Sequence, residues 1–315
     1  MDGSQPAVAT SIELAADALY GLGQQPKALK PKWLYDARGS TLFEEITQLP
    51  EYYLTRVETS ILRENAEGLA AYIPHDGVLF ELGAGASVKT RILLDAVRGP
   101  MTYAPFDISE TFLQETAEAL RRYYPHIRIE PIVGDFFMNP PWPSDLLNSP
   151  KTVFFPGSTI GNLPPDEADA LLARARNWPN VERFILGLDC VKDVDRMVAA
   201  YDDNQGVTAQ FISNILSRLN TEACADFDLD AFDYRASWNE EKSQIEMRLI
   251  ANKPVSVLLD GHDVAFERGE PILVSTSRKF TPEVLAAMAS NAGWRVETSF
   301  QDAGNEFLLA VLARA

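Results

Sequence analysis

The sequence predicts an α/β protein, built on a parallel sheet with helices on both faces and carrying a smaller α+β part. Three observations predict this. Short β-branched or aromatic runs alternate with helical stretches between about Thr59 and Asp189. The first of those runs ends in a pair of glycines, and between about Val191 and Lys279 the rhythm changes to closely spaced strands. Regular alternation implies parallel strands joined by covering helices, whereas the later stretch implies an antiparallel insertion.

The elements follow in order. "SIELAADALYGL" sets Ile12, Leu14, Ala15, Ala18 and Leu19 near helical spacing, and "STLFEEITQLP" offers Ser40 as an N-cap with Phe43, Ile46 and Leu49 behind it. "GVLFELG", "MTYAPFD", "IRIEPIVGD", "TVFFPGS" and "RFILGLD" read as strands, with "ETFLQETAEALRRYY" as an intervening helix. In "QIEMRL", Ile245, Met247 and Leu249 alternate with Glu246 and Arg248, as in a half-buried antiparallel strand. "TPEVLAAMASNAGW" and "FLLAVLARA" read as a helix and a last strand returning to the first sheet. The expected domains are 57–191 with 280–315 for cofactor binding, and 1–56 with 192–279 for substrate binding.

Composition narrows the partners. With 315 residues, 46% hydrophobic and 23% charged, the chain is ordinary globular material, and its net charge of -17 repels polyanions. No Lys/Arg run offers a nucleic-acid patch, so a small or zwitterionic substrate is expected. Cys190 and Cys224 have no CxxC spacing and His75, His126 and His262 are dispersed, so no zinc site or disulfide framework is indicated and a reducing cytoplasm is the default. Cys190 follows the fifth strand and reads as a small buried hydrophobe. The opening "MDGSQPAVAT" lacks a leader's basic and apolar regions, and nowhere do about eighteen apolar residues run together, so a soluble, non-membrane chain is expected. No heptad or exposed sticky edge appears, leaving a monomer as the default.

Val78 to Leu82 form a near-continuous apolar run suited to a strand covered on both sides. Gly83 and Gly85 then permit a tight turn and close approach of backbone N–H groups to a ligand. Ser87 is a candidate cap for the next helix, with Val88, Ile92, Leu93 and Ala96 as its buried face. Val88 stands where a dinucleotide fingerprint has its third glycine, and GxG alone is a weak motif. The strand ends add Glu81, Asp107 and Asp135. Singly, Asp107 and Asp135 read as helix caps or solvated strand ends; with "ELGAG" they read as ribose and base contacts. Acidic residues without a phosphate-directed base describe a nucleoside lacking phosphates, such as S-adenosylmethionine, with Lys89 available to its carboxylate.

The blocks "LYDARGSTLFEEITQLPEYYLTR", "ELGAGASVKTRILLDA", "FFPGSTIGNLPPDEA", "LDCVKD", "AYDDNQGVTAQF", "ADFDLDAF" and "IEMRL" together resemble the histidine-specific, S-adenosylmethionine-dependent Nα-methyltransferases of ergothioneine biosynthesis, from about Pro31 onward. The resemblance implies a class I methyltransferase core, a substrate domain, and up to three methyl transfers to the α-amino group of a free amino acid, histidine giving the betaine hercynine. It implies cofactor contacts at Gly83, Gly85, Lys89, Asp107, Asp135 and Phe136. It places Tyr35, Tyr52, Asn162 and Tyr201 on the amino and carboxylate ends of the substrate, and Met247 beside its side chain. Without the block match, Tyr52 and Tyr53 read as aromatic packing.

The chemistry explains neutral polar residues at the amine. Its nitrogen must lose a proton before it attacks, and a touching carboxylate would favour the protonated form. Hydroxyls and an amide orient the lone pair with less of that penalty, and aromatic faces accept a quaternary ammonium. Tyr52 and Asn162 are therefore the expected positioning residues. One departure stands out: the resemblance implies a Glu and a Ser two residues apart on the imidazole, whereas "ILVSTSRKF" has Ser275 and Ser277. That opens an aromatic substrate such as tryptophan or tyrosine as an alternative; a second, from a different class, is a non-catalytic sensor of S-adenosylmethionine or an amino acid.

Overall fold

The structure, a computed structural model, describes residues 4–315, with side chains from Ser11 onward. Residues 1–3, which begin the stretch used to argue against a leader, lie outside the described residues. The chain forms two compact units, one of the described residues up to Tyr53 with Lys192–Arg278, the other of Leu54–Val191 with Lys279–Ala315.

The chain opens with α1 (Ser4–Leu22), the two-residue strand β1 (Lys27–Ala28) and α2 (Ala37–Gln48), followed by α3 (Tyr53–Glu64) and α4 (Ala66–Ala70). Leu14, Ala15, Ala18 and Leu22 form the buried stripe of α1, while Ile12 is exposed. The N-cap of α2 is Asp36 rather than Ser40: its carboxylate accepts from the Gly39 N–H at 2.6 Å, and a carboxylate four residues earlier meets the free amides first.

The alternating region gives β2 (Val78–Leu82), α5 (Thr90–Ala96), β3 (Thr102–Asp107), α6 (Glu110–Tyr123), β4 (Arg128–Ile129), β5 (Ile132–Val133), β6 (Lys151–Phe155), α7 (Pro165–Arg176) and β7 (Val181–Asp189). The single strand expected over "IRIEPIVGD" is split into β4 and β5, because Pro131 between them has no N–H to give a ladder. Next come α8 (Val194–Ala199), α9 (Val207–Glu222), β8 (Phe232–Asn239), β9 (Gln244–Ala251), β10 (Val255–Leu259), β11 (His262–Phe266) and β12 (Pro271–Arg278). The chain closes with α10 (Pro282–Asn291), β13 (Trp294–Gln301) and β14 (Phe307–Arg314). Strand β13 is additional to the sequence reading; Trp294 and Val296 pack on the core shared with α7 and α10, and a bulge between Val296 and Thr298 turns Phe300 to the core on the opposite face.

In the second unit the strand order is β13-β14-β7-β6-β2-β3-β4, with β5 also on β3. Strands β2, β3, β6 and β7 pair in parallel, and β14 enters antiparallel between β7 and β13. This is the class I methyltransferase arrangement. Its two faces are both apolar, because β2 sends Val78, Phe80 and Leu82 to a core shared with α7 and α10, and Leu79 to one shared with α3 to α6. The order reverses between β2 and β6, which makes the crevice beyond their carboxyl ends the switch point at which such sheets bind ligands. Beyond β7, Cys190 bridges to Phe280 in parallel, the Val191 N–H donates to the Phe280 carbonyl and the Phe280 N–H to the Asp189 carbonyl. Cys190 is buried.

The other unit is built on the sheet β1-β12-β9-β8 and the hairpin β10-β11. A bulge between Leu273 and Ser275 resets the β12 register, placing Ser275 opposite Met247 and Ser277 opposite Ile245. All four are buried and share one face by period two. No helix among the described residues is long and apolar enough to cross a membrane.

Candidate active site

The glycine bend after β2 is left-handed at Gly83 (φ +63°) and Gly85 (φ +49°). A Cβ at either position would meet nothing within 4 Å, so these glycines serve the backbone turn and leave open space above it. The Gly85 N–H donates to Asp107 Oδ2 at 3.1 Å while the Ser109 N–H donates to Oδ1. Asp107, at the end of β3, thus fixes the bend. Asp135 accepts from the Phe137 N–H at 2.9 Å, and Phe136 packs on Phe155 with ring centres 5.7 Å apart. An open cradle flanked by two carboxylates suits the nucleoside portion of S-adenosylmethionine.

Several expectations need correction here. Ser87 does not cap α5: its own backbone is left-handed (φ +52°), and its hydroxyl bonds the Tyr103 hydroxyl at 2.8 Å. Val88 is 65% exposed rather than part of the buried face of α5, which is Thr90, Leu93 and Leu94. Glu81 is not presented at the crevice. Its side chain is buried and accepts from the Tyr103 hydroxyl, and burial pushes its carboxyl up to about 8. Lys89 is held by Glu58 Oε2 at 2.5 Å.

After β6, Gly157 (φ +78°) and Ser158 (φ +56°) form two successive left-handed residues before the short 3-10 turn Thr159–Asn162. The Gly157 N–H donates to both oxygens of Glu58, at 2.8 and 3.0 Å, and Ser158 Oγ accepts from the Asp189 N–H at 3.0 Å. Asp189 in turn pairs with Lys279 at 2.6 Å, both fully buried. The turn carrying Asn162 is therefore secured from two sides. The Asn162 amide is half-buried, and no hydrogen bond to it is seen among the described residues.

In the other unit five rings meet. Tyr35 lies edge-on to Phe43 (5.8 Å) and Phe211 (5.5 Å), Phe43 lies against Tyr52 (6.4 Å), and Tyr52 against Tyr201 (6.0 Å). They come from the loop before α2, from α2 itself, from the approach to α3, from the turn after α8 and from α9. The Tyr201 hydroxyl bonds Ser277 Oγ at 2.7 Å, and Tyr234 donates to the Tyr201 carbonyl. Tyr201 thus links the rings to the face that bears Ser277, Ser275 and Met247. Tyr53, beside Tyr52 in sequence, has a separate environment: it accepts from Lys192 at 2.7 Å, whose ammonium also sits 4.4 Å from its ring centre.

Three contributors escaped the sequence reading. Phe43 was assigned to helix packing and Phe211 went unremarked, although both lie inside the matched blocks. Glu58 had a signal: Leu54, Glu58, Ile61 and Leu62 follow helical spacing, so an acid occupied an apolar stripe.

Comparison with known proteins identifies the family. The family model described as histidine-specific methyltransferase, SAM-dependent, matches residues 14–314. A histidine N-alpha-methyltransferase of Mycolicibacterium smegmatis is 42% identical over 311 residues, covering 96% of this chain and 95% of that protein. One of Mycobacterium tuberculosis is 41% identical over 310 residues with the same coverage. An ergothioneine biosynthesis protein 1 of Neurospora crassa is 28% identical across 100% of this chain and 36% of its own length. The chain belongs to the S-adenosylmethionine-dependent, histidine-specific methyltransferase family.

Proposed function

We propose that this enzyme transfers methyl groups from S-adenosylmethionine to the α-amino nitrogen of free L-histidine, up to three times, giving hercynine for ergothioneine biosynthesis. The observation that carries the reading within the molecule is the cluster of Tyr35, Phe43, Tyr52, Tyr201 and Phe211, tied through Tyr201 to the Ser277 face. S-adenosylmethionine supplies the methyl group as an electrophile on a sulfonium. Tyr52 and Tyr201 offer hydroxyls to the zwitterion and ring faces to the nitrogen as it becomes quaternary. For Asn162 the block match supports the role, an amide that orients the amine without adding charge. The assigned cofactor contacts are Gly83, Gly85, Asp107, Asp135 and Phe136, with Lys89 on the donor's carboxylate. Met247, Ser275 and Ser277 border the acceptor's side chain. We take the enzyme to be a cytoplasmic monomer.

The test is incubation of the purified protein with the donor and each of the twenty amino acids, followed by mass analysis. Histidine alone gaining one, two and three methyl groups supports the proposal. Product from tryptophan or tyrosine instead would replace it with the aromatic reading that Ser275 raises, and donor binding without any product would replace it with the sensor.

A further inference from the structure

Lys89 offers more than a charge near the glycine bend. Its ammonium carries three donors, of which Glu58 Oε2 takes one at 2.5 Å, and no other bond to it is seen among the described residues. The side chain is still 20% exposed, which leaves it open to a ligand. Glu58 is fully buried, and a buried carboxylate persists only where charge and hydrogen bonds compensate its lost hydration. Here the compensation comes from Lys89 and from the Gly157 N–H, which is shared by both oxygens. Gly157 follows β6 and Lys89 precedes α5, which follows β2, so one carboxylate spans the switch point of the sheet. Strand β7 makes room for it. A Cβ on Gly187 would stand 2.4 Å from Glu58 Oε1, which gives a physical reason for glycine inside a buried strand.

We propose that Glu58 is a positioning residue: it aims the Lys89 ammonium at the carboxylate of the donor's amino acid portion and locks the Gly157 turn that carries Asn162. The inference rests on the assignment of Lys89 to that carboxylate. Glu58 touches neither donor nor acceptor. Replacing it with Gln keeps an acceptor for the Gly157 N–H but removes the charge that pins Lys89.

The experiment compares two ligands by calorimetry on the wild type and Glu58→Gln. S-adenosylhomocysteine has the amino acid portion; 5′-methylthioadenosine shares the nucleoside and thioether but lacks it. Glu58→Gln is expected to weaken the first by about tenfold or more, the size of a lost charge-assisted contact, and the second by less than about twofold. Gly187→Ala, which displaces the carboxylate without removing it, is expected to show the same selectivity, and either variant suffices if the other fails to fold. A general loosening of the site would weaken both ligands alike; that result, or no change in either, overturns the proposal. Should the wild type itself bind neither ligand, the cofactor reading falls instead, and the histidine assay reports separately on the acceptor.

Discussion

Replacing Glu81 with Gln should change how stability depends on pH. Glu81 is buried in β2, accepts from the Tyr103 hydroxyl, and titrates near 8 in the folded protein against 4.5 for an ordinary Glu. Burial is the leading cause, and the Glu58 charge adds to it, while the hydroxyl contacts and Lys89 oppose it. The native state therefore keeps a proton that the unfolded chain has released, and the sign follows: stability is fully present below about 4.5 and declines as pH rises towards 8. Each pH unit inside that window costs about 1.4 kcal/mol for one retained proton. From pH 5.5 to 7.5 the wild type should thus lose about 3 kcal/mol relative to Glu81→Gln, which cannot ionise and still accepts from Tyr103. Urea midpoints of both proteins across that range test this, since the titration of all other groups is common to the two. Parallel curves would mean that Glu81 ionises normally, and the buried proton would have to be abandoned.

Other substitutions probe the two halves of the chemistry. Gly85→Ala places a side chain at φ +49° where its Cβ meets no protein atom; it should cost about 1–2 kcal/mol of stability, while donor affinity, read by calorimetry, falls further than that strain explains. Asn162→Ala should lower kcat about 100-fold with donor affinity nearly unchanged, and normal turnover would remove Asn162 from the site. In a cycle of Tyr201→Phe and Ser277→Ala, the hydrogen bond at 2.7 Å should appear as a coupling of about 1 kcal/mol in unfolding free energy, whereas simple additivity would deny it. Ser275→Glu should raise the kcat/KM for histidine relative to tryptophan, and an unchanged ratio would move Ser275 away from the acceptor's side chain.

Periodicity exposed the fold because burial leaves a strong imprint. The runs of β2, β6 and β7 are largely apolar since both faces are covered, and "QIEMRL" alternates since Ile245, Met247 and Leu249 pack inward, although Glu246 between them is buried as well. Capping was less legible. Ser40 and Ser87 both looked like caps, but Asp36 reached the amides of α2 first, and Ser87 was drawn to Tyr103, a partner sixteen residues away that no local pattern reveals. For the site, the glycine bend and Asp107 beside it could be read locally, whereas Glu81 is drawn away from the crevice to Tyr103 and the five-ring cluster depends on segments far apart in the chain. Glu58 shows the same limit. Its place in an apolar stripe marked it as buried, yet its partners Lys89 and Gly157 come from separate βα connections.

The adjacent bridge of Cys190 with Phe280 has a consequence for how such enzymes diversify. The polypeptide between them departs from and rejoins the donor-binding sheet through neighbouring residues, so the ends are already closed together. Closure entropy rises only logarithmically with the number of residues enclosed, which makes the excursion tolerant of exchange or resizing. A lineage can therefore exchange or resize that excursion while the sheet keeps its strand order, and on the proposed assignment of Tyr201, Met247, Ser275 and Ser277 such changes would fall on the acceptor.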